Sequence, residues 1–117
     1  MIDQATLHDH LLNYDDVWVD QPFDEKSLVY KIGTSEEGRG KFFAIIEDGS
    51  RPVRLSLKCD PQLAEVLRET YESVLPGYHL NKKHWNTILC TGQMPTDELH
   101  DLIRLSYRLV TGEAVSL

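Results

Sequence analysis

Between residues 76 and 87 the chain runs P-G-Y-H-L-N-K-K-H-W-N-T. Lys82 and Lys83 are adjacent cations, and Tyr78, His79, His84 and Trp85 carry flat rings. Asn81 and Asn86 carry amides that both donate and accept hydrogen bonds. Cations beside rings suit nucleic acid: the cations neutralise phosphates, the rings stack on bases, and the amides read base edges. A plainer reading of the same residues also stands. Tyr78 and Trp85 would then anchor the edge of a core, Asn81 would take a left-handed or turn conformation, and the histidines would be structural donors.

Other constellations carry less chemistry. Cys59, His79, His84 and Cys90 contain no closely spaced cysteine pair, which argues against a structural zinc site. Cys90 alternates with Ile88 and reads as an inert core thiol. Cys59 precedes a capped helix and follows Lys58, a setting that lowers a thiol pKa. No Ser-His-Asp or Cys-His pairing emerges. The glycines of G-T-S-E-E-G-R-G, residues 33–40, lack the Gly-Lys-Ser/Thr end of a phosphate loop. The expectation is a protein that is not an enzyme and uses no cofactor.

The charge balance is acidic, with 19 Asp and Glu against 12 Lys and Arg and a formal net charge of −7. That sign disfavours an ordinary nucleic-acid binder, whose domain is basic. The distribution is uneven, however. Residues 1–25 hold seven acids and no Lys or Arg, whereas residues 26–117 hold twelve of each. A balanced body can present a cationic face if its acids lie elsewhere. The acidic segment itself reads as a solvated surface.

The elements that would position the loop follow from periodicity and breakers. Asp3 caps a helix running to about Asn13, with Leu7 and Leu11 one turn apart. Residues 14–21 form either a short edge strand or an ordered loop. Residues 27–32 and 41–47 read as strands joined by the glycine-rich hairpin connection at 33–40. Within the second strand, Phe42, Ala44 and Ile46 alternate with Phe43 and Ile45. Asp48-Gly49 marks a tight turn. A third strand, 52–58, points Val53, Leu55 and Leu57 to a core, and Arg54, Ser56 and Lys58 to water. Asp60-Pro61 opens a helix whose stripe is Leu63, Val66, Leu67, Tyr71 and Val74, ended by Pro76-Gly77. Residues 85–91 read as a fourth strand. Thr96 caps a last helix with Leu99, Leu102, Ile103, Ser106 and Val110 on its stripe, and Gly112 stops it. The order α-β-β-β-α-β-α predicts an α+β two-layer sandwich, an antiparallel sheet with helices on one face. Arg54 and Lys58 are then free on the other face to join Lys82 and Lys83 as phosphate contacts.

The segment P-G-Y-H-L-N-K-K-H-W-N-T closely resembles the signature of the MmcQ/YjbR family. Further matches are Pro22-Phe23, residues 28–32 (L-V-Y-K-I), 41–44 (K-F-F-A), 57–61 (L-K-C-D-P), the turn from Gly92 to Pro95, and Leu99 through Ser106-Tyr107 to Val110. The resemblance covers roughly residues 22–110, and a run this long is far more specific than a short motif. It implies a CyaY-like fold, also compared with a double-wing DNA-binding motif, in small stand-alone bacterial proteins labelled as DNA-binding. The site residues it leaves in play are Arg54, Lys58, Tyr78, His79, Asn81, Lys82, Lys83, His84, Trp85 and Asn86. Two alternatives stay open. One is a protein- or small-ligand-binding module that uses the same loop as a pocket rim. The other is metal binding by Asp3, Asp9, Asp15 and Asp16, by analogy with the acidic ridge of frataxin-type proteins.

The whole of 1–117 is expected to be one domain, near the usual size. No apolar run approaches the roughly 18–20 residues of a membrane span. The start lacks a basic n-region and an apolar h-region, so no secretory signal is expected. With two cysteines, a disulfide scaffold is excluded. A cytoplasmic monomer with no membrane association is the expectation.

Overall fold

The computed structural model describes residues 1–33 and 41–112. Its elements are α1 (Gln4–Leu12), β1 (Val17–Asp20), β2 (Ser27–Ile32), β3 (Lys41–Glu47), β4 (Arg54–Lys58), α2 (Pro61–Thr70), β5 (Val74–Pro76), β6 (Trp85–Leu89) and α3 (Thr96–Thr111). The strands form one antiparallel sheet in the order β1-β2-β3-β4-β6-β5. The α+β class and the single covered face are as the sequence predicts. The hairpin connection expected at 33–40 lies, apart from Gly33, outside the described residues.

Two strands are added to the expected order. Residues 17–20 pair with β2, and the Lys31 ammonium holds Asp20 at 2.9 Å while lying over the Trp18 ring. Cross-strand contacts therefore decide the acidic segment that local pattern left open. The second helix ends at Thr70, not near Pro76. Tyr71 is already extended, and Val74, Leu75 and Pro76 pair with Ile88, Thr87 and Asn86. An unfilled edge on β6 outcompetes one more helical turn. Val66, assigned to the apolar stripe, is instead 54% exposed, and Ala64 and Leu67 make the core contact.

All three helices pack on one face. Leu7 and Leu11 from α1, Leu67 from α2 and Leu99 and Ile103 from α3 meet Tyr30, Ala44, Ile46, Leu55, Leu57 and Ile88 of the sheet. Each Leu or Ile among them, fully buried, contributes about 1.5–3 kcal/mol. Asp3 and Asp60 cap α1 and α2 through their carboxylates, as predicted. α3 begins after Pro95 with no side-chain cap, so Thr96 does not do the work assigned to it, while Gly112 closes the helix at φ 75°.

Alternation fails once, in β3. Tyr30 stands opposite Ala44 and Lys31 opposite Phe42, leaving Phe43 as an extra residue. This bulge turns Phe43 into the helix layer, against Tyr14 and Tyr107. Phe42 goes to the other face and meets Trp85, with centroids 5.1 Å apart. The Ser106 hydroxyl donates to the Phe43 carbonyl at 2.6 Å and accepts the Lys58 N–H at 3.0 Å, tying α3 to both central strands.

Candidate nucleic-acid interface

The loop at residues 77–84 is welded to the sheet through its own backbone. Gly77 N–H donates to the Trp85 carbonyl at 2.9 Å, and Tyr78 N–H donates to the Thr87 hydroxyl at 3.0 Å. A Cβ on Gly77 would lie 2.7 Å from the Trp85 Cβ, so only glycine permits this approach. Asn81 folds the far end of the loop: its side-chain oxygen accepts Lys83 N–H at 2.9 Å and its carbonyl accepts His84 N–H. The left-handed position considered for Asn81 belongs to His79, at φ 58°. Two neighbours clamp the loop. Arg68 of α2 donates to the Lys82 carbonyl at 2.9 Å, and Cys59 N–H donates to the His84 carbonyl at 2.8 Å.

This frame leaves Tyr78, His79, Asn81, Lys82 and Lys83 exposed and His84 half-buried. The Tyr78 and His79 rings lie 3.9 Å apart, and the Arg54 guanidinium sits 5.6 Å from the Tyr78 centroid. Among the described residues Lys58, Lys82 and Lys83 have no carboxylate partner; the Lys82 ammonium reaches only the Gly77 carbonyl, at 3.2 Å. Lys58 stands directly across from Trp85 on the same open face, two residues from Lys83. Arg54 differs, because Glu47 approaches its Nε at 3.8 Å.

Two predicted site residues sit elsewhere. Asn86 points to the helix layer, where its amide donates to the Ala64 carbonyl, and it is only 2% exposed. The strand period that puts Trp85 and Thr87 on the open face forces Asn86 to the opposite one. Trp85 is buried against Phe42 and is not free to stack on a ligand. For Trp85 this is the plainer reading, an anchor at the core edge; for Asn86 the structural role is not foreseen from the sequence.

The open face is less watered than its polar alternation predicts. Ser56 and Thr87 are buried, and their hydroxyls share a hydrogen bond of 2.8 Å. They floor a groove of about 540 Å³, walled by Tyr78, His79 and Leu80 on one side and by Phe23, Asp24 and Lys26 on the other. Arg68, Phe23 and Thr87 were missed as site residues. For Thr87 a signal existed, since it lies two positions from Trp85 on a strand. For Phe23 and Arg68 the contact is purely tertiary.

The competing chemistries fare poorly. Cys59 is pushed up to about 11 by burial and by the Asp60 charge, opposite to the lowering expected from the helix start and Lys58. Burial likewise raises Cys90 to about 11. Among the described residues no three His, Cys, Asp or Glu side chains are grouped to hold a metal ion. Asp3 is occupied as the α1 cap, and its hydrogen bonds from Thr6 hold its carboxyl below the usual range. No helix among the described residues is long and apolar enough to cross a membrane.

A six-stranded open sheet, covered by helices on one side and bearing a loop with a groove on the other, defines a small α+β domain. The YjbR family model matches residues 12–109, and the chain belongs to that family. It is 36% identical over 89 residues to the uncharacterized protein YbdF of Escherichia coli O157:H7, covering 76% of this chain and 68% of that protein. It is 38% identical over 66 residues to the uncharacterized protein YjbR of E. coli K12, a match that spans 56% of each. Among solved structures it resembles a Deinococcus radiodurans protein with a DUF419 domain, at TM-score 0.86 and 37% identity over 96% of this chain and 80% of that one. A Pseudomonas syringae protein follows at TM-score 0.78 and 26% identity, over 93% and 99%.

Proposed function

We propose that this protein binds DNA, without catalysis, through the 77–84 loop and the adjoining open face of its sheet. One observation carries the reading: Lys82 and Lys83 are exposed side by side with no carboxylate partner among the described residues, on a loop that also exposes the Tyr78 and His79 rings. The covered face accommodates much of the acidic segment: α1, which carries Asp9 and is capped by Asp3, packs there through Leu7 and Leu11, on the side of the sheet away from Lys58 and the loop. Asp24 does line the groove beside the loop, with its carboxylate taken by the backbone N–H groups of Lys26 and Ser27.

With Arg54 engaged by Glu47, the phosphate contacts reduce from four to Lys58, Lys82 and Lys83. On duplex DNA the slope of log affinity against log salt is then about −2.7. A fluorescence-anisotropy titration across salt tests this. The Lys82→Ala, Lys83→Ala double variant should flatten the slope by about 1.8. No binding at low salt, or an unchanged slope, would remove the loop as a DNA site. The reading carries with it a monomeric cytoplasmic protein.

A further inference from the structure

We infer that the strand bound is single and that one unpaired base seats in the groove beside the loop; this rests on the nucleic-acid reading above. The groove, at about 540 Å³, falls within the ordinary range for small-ligand sites. Its opposing walls hold Phe23 and Tyr78, which are 66% and 58% exposed. Two aromatic rings this exposed in one groove lining can pack on a third ring, with His79 and Arg54, already beside Tyr78, extending that platform.

The floor supplies an edge contact. Ser56 and Thr87 carry two hydroxyl hydrogens, and their mutual hydrogen bond uses one. Thr87 oxygen already accepts from Tyr78 N–H. Whichever hydroxyl donates within the pair, the other O–H has no acceptor among the described residues, and both residues are less than a tenth exposed. A buried donor in this state calls for an acceptor from the groove.

The charge count of the lining selects a neutral ring with its phosphates outside: Lys26 and Arg54 stand against Asp24 and Glu47. Glu47 lies 3.8 Å from Arg54, and the Asp24 carboxylate accepts the backbone N–H groups of Lys26 and Ser27. Lys82, outside the lining, reaches the carbonyl next to Tyr78 with its ammonium. A nucleobase is flat, neutral and rich in edge acceptors, with its anionic phosphate one sugar away. In a duplex both its faces and its pairing edge are taken.

Anisotropy with a labelled 12-mer single strand, its duplex and an abasic 12-mer of the same charge tests the assignment. The single strand should bind most tightly, and the abasic strand should lose about 5- to 150-fold. The Phe23→Ala, Tyr78→Ala double variant should lose a similar factor on the normal strand, none on the abasic strand, and keep the salt slope. Both side chains are more than half exposed, so the variant retains the core. Equal affinity for duplex and single strand, or for abasic and normal strand, would overturn the seated base while leaving DNA binding intact. Displacement by a free mononucleotide as potent as by the strand would overturn the strand as its source. Failure of every probe to bind at low salt would instead sink the nucleic-acid reading itself.

Discussion

Replacing Gly77 by alanine isolates the contact that welds the loop to the sheet. The added methyl would meet the Trp85 Cβ at 2.7 Å and the Trp85 carbonyl oxygen at 3.0 Å. Trp85 cannot retreat, because β6 is flanked by β4 and β5 and the Trp85 ring packs on Phe42. The loop must therefore move, weakening the Gly77–Trp85 backbone hydrogen bond. Overpacking costs about 1–3 kcal/mol and the lost hydrogen bond about 1 kcal/mol, so the sum is about 2–4 kcal/mol. A chain of this length melts about 4 °C lower per kcal/mol, which gives a fall of about 8–16 °C in Tm. Gly49→Ala is the control. Gly49 has φ 74° and nothing within 4 Å of its would-be Cβ, so its cost is conformational alone. That cost is about 1–2 kcal/mol, or about 4–8 °C. Differential scanning calorimetry of both variants reads the difference. A Gly77→Ala protein that melts with the wild type, or above Gly49→Ala, would refute the close approach as the constraint on the loop.

Two further outcomes follow from titrating groups. His10 is held below its ordinary value of 6.5, first by burial and then by the charges of His100, stacked on it at 4.1 Å, and Arg104. The unfolded chain therefore binds the proton more readily, and stability is complete above about pH 6.5 and declines as pH falls below it. Urea midpoints between pH 7.5 and pH 5 should drop, and His10→Gln should flatten that dependence; an identical dependence in the variant would exclude His10 as its source. Cys59 and Cys90, both raised to about 11, expose only about one thiolate in ten thousand at pH 7. Neither should react with a thiol-specific disulfide reagent until the chain is unfolded, and rapid reaction of one equivalent in the native protein would contradict the buried placement of both.

Local chemistry was legible wherever it was self-contained. The caps at Asp3 and Asp60, the αL stop at Gly112 and the strands at 27–32 and 41–47 depend on neighbours within a few residues, and each was readable from the chain. The helix boundary at Thr70 was not, because it is set by an empty sheet edge contributed from fifteen residues further on. The loop was legible as a functional candidate from its composition, and its exposed members are where the sequence placed them. Trp85 and Asn86 belong by sequence to the same run, but they fall after the strand has begun. There the pleat, not the loop, dictates direction. The groove was invisible because its far wall, Phe23 to Lys26, meets the loop only through tertiary folding. Cys59 shows the same limit, since burial outweighs the local cues of Lys58 and the helix start.

The additional residue that Phe43 represents lets one strand present rings to both faces. Phe42 meets Trp85 on the open face, while Phe43 stands with Ala44 and Ile46 in the helix layer. Deleting either Phe42 or Phe43 leaves the same sequence, Lys-Phe-Ala, and restores even pleating with Lys31 and Ile32 keeping their partners. The register survives such a deletion, and what disappears is the ring between Tyr14 and Tyr107. A single-codon deletion there should therefore cost what Phe43→Ala costs, about 3–5 kcal/mol.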